Sequence, residues 1–234
     1  MKESLMNIKK IIKIATGRDI DIHPDVPINY IMKKGISYSF GLINGFIRGI
    51  GLGKRGARFF IGKRVSIFAK HKIYIENNVR IGNYVVIDAL SENGIQLANH
   101  VKIGDYSQII GTGSIKNMGK GLKIGKNSSF SEFCLFGAAG GITIGDDVIA
   151  GQNVRFHSEN HNYDDVDKLI REQGVNRKGI SVGNNCWIGA GAVFLDGSSI
   201  GSGCIVAANS VVTKHFPDNV IIGGVPAKIL KKRL

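Results

Sequence analysis

Two histidines four residues apart, His157 and His161, stand in the stretch FHSENHNYDD among Glu159, Asp164 and Asp165. An imidazole titrates near neutrality, so it can take a proton from a hydroxyl or an amine as a bond forms, typically worth about 10²–10⁴ in rate. The other ring nitrogen then needs a partner to hold the tautomer, and Glu159, Asp164, Asp165 or a backbone carbonyl could provide it. The same two rings could instead be two ligands of a zinc ion, which wants a third or fourth ligand. His23, His71, His100 and His215 are spaced away from the pair, so no metal is expected. Cys134, Cys186 and Cys204 are candidate nucleophiles by type alone. Their spacing is that of small core-filling thiols rather than of a disulfide or metal framework.

The element that must position these groups is read from the stretch Val182 to Val212. Stepping by six from Val182 meets Ile188, Phe194, Ile200, Val206 and Val212, all apolar. Four residues after each of the first five come Cys186, Ala192, Ser198, Cys204 and Ser210, all small. A helix repeats near 3.6 and a half-buried strand at 2. An unbroken period of six predicts a parallel β-helix, in which each hexapeptide makes one side and one corner of a triangular prism. Glycine often follows the apolar residue, as at Gly183, Gly189 and Gly201, and is expected to supply turn angles that a Cβ would forbid.

Running the register back predicts six coils with inward positions Ile75, Ile81, Ile87; Leu97, Ile103, Ile109; Ile124, Phe130, Phe136; Ile144, Ala150, Phe156; Val182, Ile188, Phe194; Ile200, Val206, Val212. The largest insertion, 20 residues, follows Phe156 and holds both histidines' segment. Loops longer than about 12–15 residues are usually functional or disordered, so the loop 157–181 is the place for chemistry. His157 comes before the chain has left the prism and reads equally as a corner or wall-lining ring.

Residues 1–57 do not obey the period. They form a basic, partly apolar segment, with ten Lys and Arg against four Asp and Glu in the first 56 positions. The run from Ile36 to Leu52 is interrupted by Gly41, Asn44, Gly45 and Arg48 and falls short of the roughly 20 apolar residues that cross a bilayer. It is expected to cap the prism, and its flanking cations also suit contact with anionic lipid. The N-terminus carries lysines between its isoleucines and is not expected to be a secretory signal. The prism is expected over 58–222, with 223–234 a basic tail, either a short helix or extended. The net charge of +13 speaks about partners and not about fold. The aromatic and basic signatures of common nucleic-acid modules are missing, so no nucleic acid is expected.

The hexapeptide array, the loop ending in SENH, the following ISVGNNCWIGAGAVFLDG, the SVVTK and the terminal GGVPAKILKKR together resemble the left-handed β-helix acyltransferases. The likeness is to the acetyl-CoA-dependent sugar O-acetyltransferases, which include maltose and galactoside acetyltransferases and enzymes of capsule, O-antigen and exopolysaccharide synthesis. The resemblance covers roughly residues 58–234, and implies left-handed winding, although crossover connections are ordinarily right-handed. It also implies a homotrimer with active sites between subunits and direct transfer without an acyl-enzyme. It puts the general base on His161, with His157 as the alternative. For acetyl-CoA it implies Trp187, Gly189, Ala190, Ala207, Ala208, Thr213 and Lys214, with Lys228 and Lys231 near the phosphates. Glu132, Asn160, Tyr163 and Asp164 are candidates for the acceptor. Galactoside and maltose enzymes carry an acceptor-contacting asparagine in the coil before the loop, where this chain has Phe130, Ser131, Glu132 and Phe133. A surface-polysaccharide intermediate at the inner face of the cytoplasmic membrane is therefore the expected acceptor. Transfer to an amino sugar, a γ-carbonic-anhydrase-like metal enzyme and a non-catalytic scaffold are the alternatives.

Overall fold

A computed structural model describes residues 21–23, 25–112 and 114–233. The chain winds as a left-handed parallel β-helix. Its three faces are parallel sheets in which each strand pairs with the equivalent strand of the next coil. The first face runs from Lys54–Arg55 to His215–Phe216, the second from Phe60–Ile61 to Val220–Gly223, and the third from Ser66–Phe68 to Val211–Val212. The hexapeptide register is the observed one. Ile75, Leu97, Ile124, Ile144, Val182 and Ile200 stack in order on the first face. All eighteen inward positions are buried, Ala150 included.

Burying one aliphatic or aromatic side chain per side stabilises by about 1.5–3 kcal/mol each, and only a few polar side chains, Ser158 and Asp196 among them, are buried with them. On the third face Phe136, Phe156 and Phe194 stack ring on ring, with centroids 5.4 and 4.9 Å apart. The prism continues beyond Val212: Phe216 and Ile222 are buried on the first and second faces. It also starts at Lys54, which pairs with Tyr74.

The corner glycines act differently from the expectation above. Gly145 has no positive φ; the left-handed residue of that corner is Asp147, at φ 58°. Gly145 is needed because coils approach too closely for a side chain: a Cβ there would lie 2.9 Å from the backbone nitrogen of Asn184. The left-handed corner residue, three after the inward one, is elsewhere Asn127, Asn185 or Tyr106.

At the N-terminal end the helix α1, Ile28–Arg48, lies on Phe59 and Phe60 of the first coil. Tyr38 stacks on Phe60 at 5.5 Å and Arg80 sits over both rings. At the other end the sequence left open a short helix or an extended tail. The structure forms a strand, Lys228–Lys232, which folds back antiparallel onto Val220–Gly223.

Candidate active site

The prism has three corners per coil, and the candidate residues fall on two of them. The long insertion leaves at the corner between the third and first faces, after the strand Arg155–His157 and before Ile180–Val182. It is a hydrogen-bonded hairpin. Asn160–His161 pairs antiparallel with Val175–Asn176. The Glu159 carboxylate accepts from Arg177 at 2.6 Å, and the same guanidinium donates to the backbone carbonyls of Asn117 and Met118, at 3.3 and 3.0 Å.

Both roots of the hairpin are clamped. Buried Ser158 donates to the carbonyl of Gly137 at 2.7 Å and accepts from the N–H of Gly140. The buried carboxylate of Asp196 accepts from the N–H groups of Lys178 and Gly179, at 2.9 and 2.7 Å. Inside the hairpin Gln173 bridges the backbone of Asp165 and Lys168, and the Lys168 ammonium meets the Asp165 carboxylate at 3.0 Å. Four anchors missing from the sequence reading, Ser158, Arg177, Gln173 and Asp196, thus hold the segment.

His161 sits on the first strand of this hairpin, exposed, and among the described residues no side-chain hydrogen bond engages its ring. Asn160, Tyr163 and Asp164 surround it along the hairpin and are also exposed. Of the three acids that sequence offered as partners for the imidazole, Glu159 is taken by Arg177 and Asp165 by Lys168. Asp164 makes no ion pair among the described residues. His157 lies on the outer surface of the third face, its backbone in register with Gly137 and Leu195. Its ring is partly buried, and that burial, with the neighbouring Arg155 charge, holds its pKa below the ordinary 6.5. It is a wall-lining ring.

Thr213 and Lys214 lie on the hairpin's corner, two coils further on, between Val211–Val212 and His215–Phe216. The other candidates are elsewhere. Gly189, Ala190, Ala207 and Ala208 form the corner between the second and third faces, where a Cβ on Gly189 would come 2.5 Å from the nitrogen of Ala208. Trp187 is exposed on the adjoining second face, between Ile149 and Ile205. Lys231 and Lys228 pair with Ile221 and Gly223 at the end of the same face, beside Ala207. Glu132 is on this second corner too, bonded to Gln152. Within one chain, therefore, the histidine and most of the cofactor candidates stand on different edges of the prism.

The three cysteines are free and buried. Their thiols donate to carbonyls of the same or the next coil, and burial pushes Cys134 and Cys186 up to about 11. A thiol held protonated is a poor nucleophile. Among the described residues no group of three His, Cys, Asp or Glu side chains is arranged to hold a metal ion.

Residues 179–214 match the bacterial transferase hexapeptide (six repeats) family. The chain is 28% identical over 166 residues to a probable acetyltransferase of Mycobacterium tuberculosis, covering 70% of this chain and 53% of that protein. It is 36% identical over 92 residues to galactoside O-acetyltransferase of Escherichia coli, covering 39% and 44%. The chain spans about half the length of the curated relatives it matches. Among solved structures it shares its fold with a variant of AntD, an N-acyltransferase of Bacillus cereus in complex with dTDP-4-amino-4,6-dideoxyglucose and coenzyme A. The identity is 19%, the TM-score 0.56, and the match covers 82% of this chain and 89% of that one. The period of six, the buried register and these likenesses agree: the chain carries the hexapeptide repeat of the bacterial transferases and is related in sequence to acetyltransferases.

Proposed function

We propose that this protein transfers an acetyl group from acetyl-CoA to a sugar hydroxyl of a surface-polysaccharide intermediate, with His161 as general base. The observation that carries the reading is the clamped hairpin, which presents an unengaged imidazole from a corner of a hexapeptide prism. The acceptor oxygen attacks the thioester carbonyl carbon while its proton passes to the imidazole. As the C–S bond breaks, the imidazolium returns that proton to the departing thiolate. A backbone N–H on the prism wall would stabilise the charge on the thioester oxygen.

The residues of the second corner fit the cofactor arm. Gly189, Ala190, Ala207 and Ala208 leave room along the wall, Trp187 offers an open ring face, and Lys228 and Lys231 meet phosphate as point cations. Because the hairpin stands on a different edge, the site is completed by a second copy. The third face supports such an assembly: Val86, Ile110, Leu135, Val193, Leu195 and Val211 point outward and are partly exposed. Partly exposed apolar side chains of that kind suit an association face, here divided by Arg155 and His157, and the resemblance makes the assembly a trimer. Among the described residues no helix is long and apolar enough to cross a membrane. The enzyme would act in the cytoplasm on acceptors assembled at the inner membrane face.

The test is transfer from acetyl-CoA to a panel of free sugars, amino sugars, nucleotide sugars and lipid-linked glycans, with wild type and His161→Ala in parallel. Acetylation of a hydroxyl, with a loss of at least about a hundredfold in the variant, is the expected result. Transfer at full rate by His161→Ala would remove His161 from the mechanism and put His157 forward. Transfer to amines alone would make this an N-acetyltransferase.

A further inference from the structure

We infer that helix α1 is a docking surface for an anionic lipid membrane. The helix has two faces that do different things. Tyr38, Gly41, Gly45 and Arg48, spaced three or four apart, face the prism. A Cβ at Gly41 would run into the Phe60 ring and one at Gly45 into the Phe59 carbonyl, so the helix is seated with backbone against the first coil. Roughly opposite on a 3.6-residue helix stand Met32, Ile36, Phe40, Ile43 and Ile47. All five are exposed, by 55–61% of their surface. Phe46 and Ile50 widen this stripe at its C-terminal end, equally open.

A helix with one face locked and the other apolar needs an occupant for the second, and the charges around the stripe choose it. The helix contains no Asp or Glu. Lys33 follows Met32 directly; Arg55 lies over the Phe46 ring at 4.8 Å and donates to its carbonyl, and Lys70 reaches the carbonyl of Ile50. Apolar side chains bordered by cations, on a helix lacking acids, match the layered chemistry of a bilayer surface: acyl boundary beneath, anionic headgroups at the rim. Two copies meeting through this stripe would bring like charges together. The inference goes beyond the transferase reading and holds whatever the acceptor is.

The experiment is flotation of the full chain with vesicles of phosphatidylcholine alone or with about 30% phosphatidylglycerol. The wild type is expected to float with the anionic vesicles, less at high salt because the charges are screened. The doubly substituted chain Ile36→Glu, Phe40→Glu, whose changes lie on the outward face, should lose at least about tenfold of the bound fraction with its far-UV spectrum unchanged. Lys33→Gln, which leaves the apolar stripe intact, should weaken binding to anionic vesicles only. Wild type that stays unbound, or a double variant that floats as well as wild type, would overturn the inference. Self-association abolished by the same double variant, without vesicle binding, would overturn it in favour of a second copy.

Discussion

His157 and His161 are four residues apart and chemically unlike. His161 has been carried off the prism by the hairpin, whereas His157 has stayed on the wall, where burial and Arg155 disfavour its cation. The sign follows from linkage. Between the folded pKa and the ordinary 6.5, the unfolded chain holds more protons on this ring than the native one, so stability rises with pH through that window. His157 therefore costs nothing above pH 6.5 and destabilises progressively as pH falls below it. Urea midpoints measured from pH 7.5 down to about 5 should fall for the wild type and fall less for His157→Gln; parallel slopes would show that the ring is not the source.

At the scale of elements the hairpin 157–181 is positioned from below. Arg177 ties Glu159 to carbonyls of a loop some sixty residues earlier in the chain, so its fork joins two insertions that emerge on one corner. Losing it leaves Glu159 without its counter-charge and frees the strand that bears His161. Arg177→Ala should lower kcat by about tenfold, since displacements of an ångström cost up to 10², while proteolysis between 162 and 174 speeds up. Arg177→Lys should recover little, because an ammonium cannot make the planar fork. A variant with wild-type kcat and unchanged proteolysis would make the contact incidental. The anchors at the hairpin's roots share a cause. The second residue after the third-face inward position is buried in successive coils, as Ala89, Gly111, Ala138, Ser158 and Asp196. A polar residue there must find a partner, and Ser158 and Asp196 find theirs in the backbone of the insertion.

For the whole molecule, the consequential fact is the separation of the two candidate corners by the third face. A monomer would carry half of two sites, and association through the outward Val193 and Leu195 would complete them. Sedimentation of Leu195→Glu should give a monomer mass where the wild type gives a trimer, and transfer should fall by more than about tenfold, since a buried unpaired carboxylate breaks an apolar contact. A wild type that is monomeric and active would show that one chain suffices. The N-terminal helix packs on the first coil, and the strand Lys228–Lys232 covers the last strand of the second face, an edge that would otherwise be open.

Much of this was legible in the residues alone. A period of six admits one way of burying an apolar residue on every side, so the eighteen inward positions, the core placement of the three cysteines and the coil that bears the insertion followed from counting. Counting also mistook the purpose of the corner glycines, because the clearance between stacked coils is not a local property: Gly145 answers to Asn184, 39 residues on. Gly41 and Gly45 looked like interruptions of an apolar run, and only the contact with Phe59 and Phe60 made them a docking face. Which edge of the prism each candidate occupies, what anchors the hairpin and which of its acids are taken by ion pairs were decided by the tertiary structure. Each depends on residues brought together across coils, and a repeat specifies the rise of the coils but not what its insertions meet.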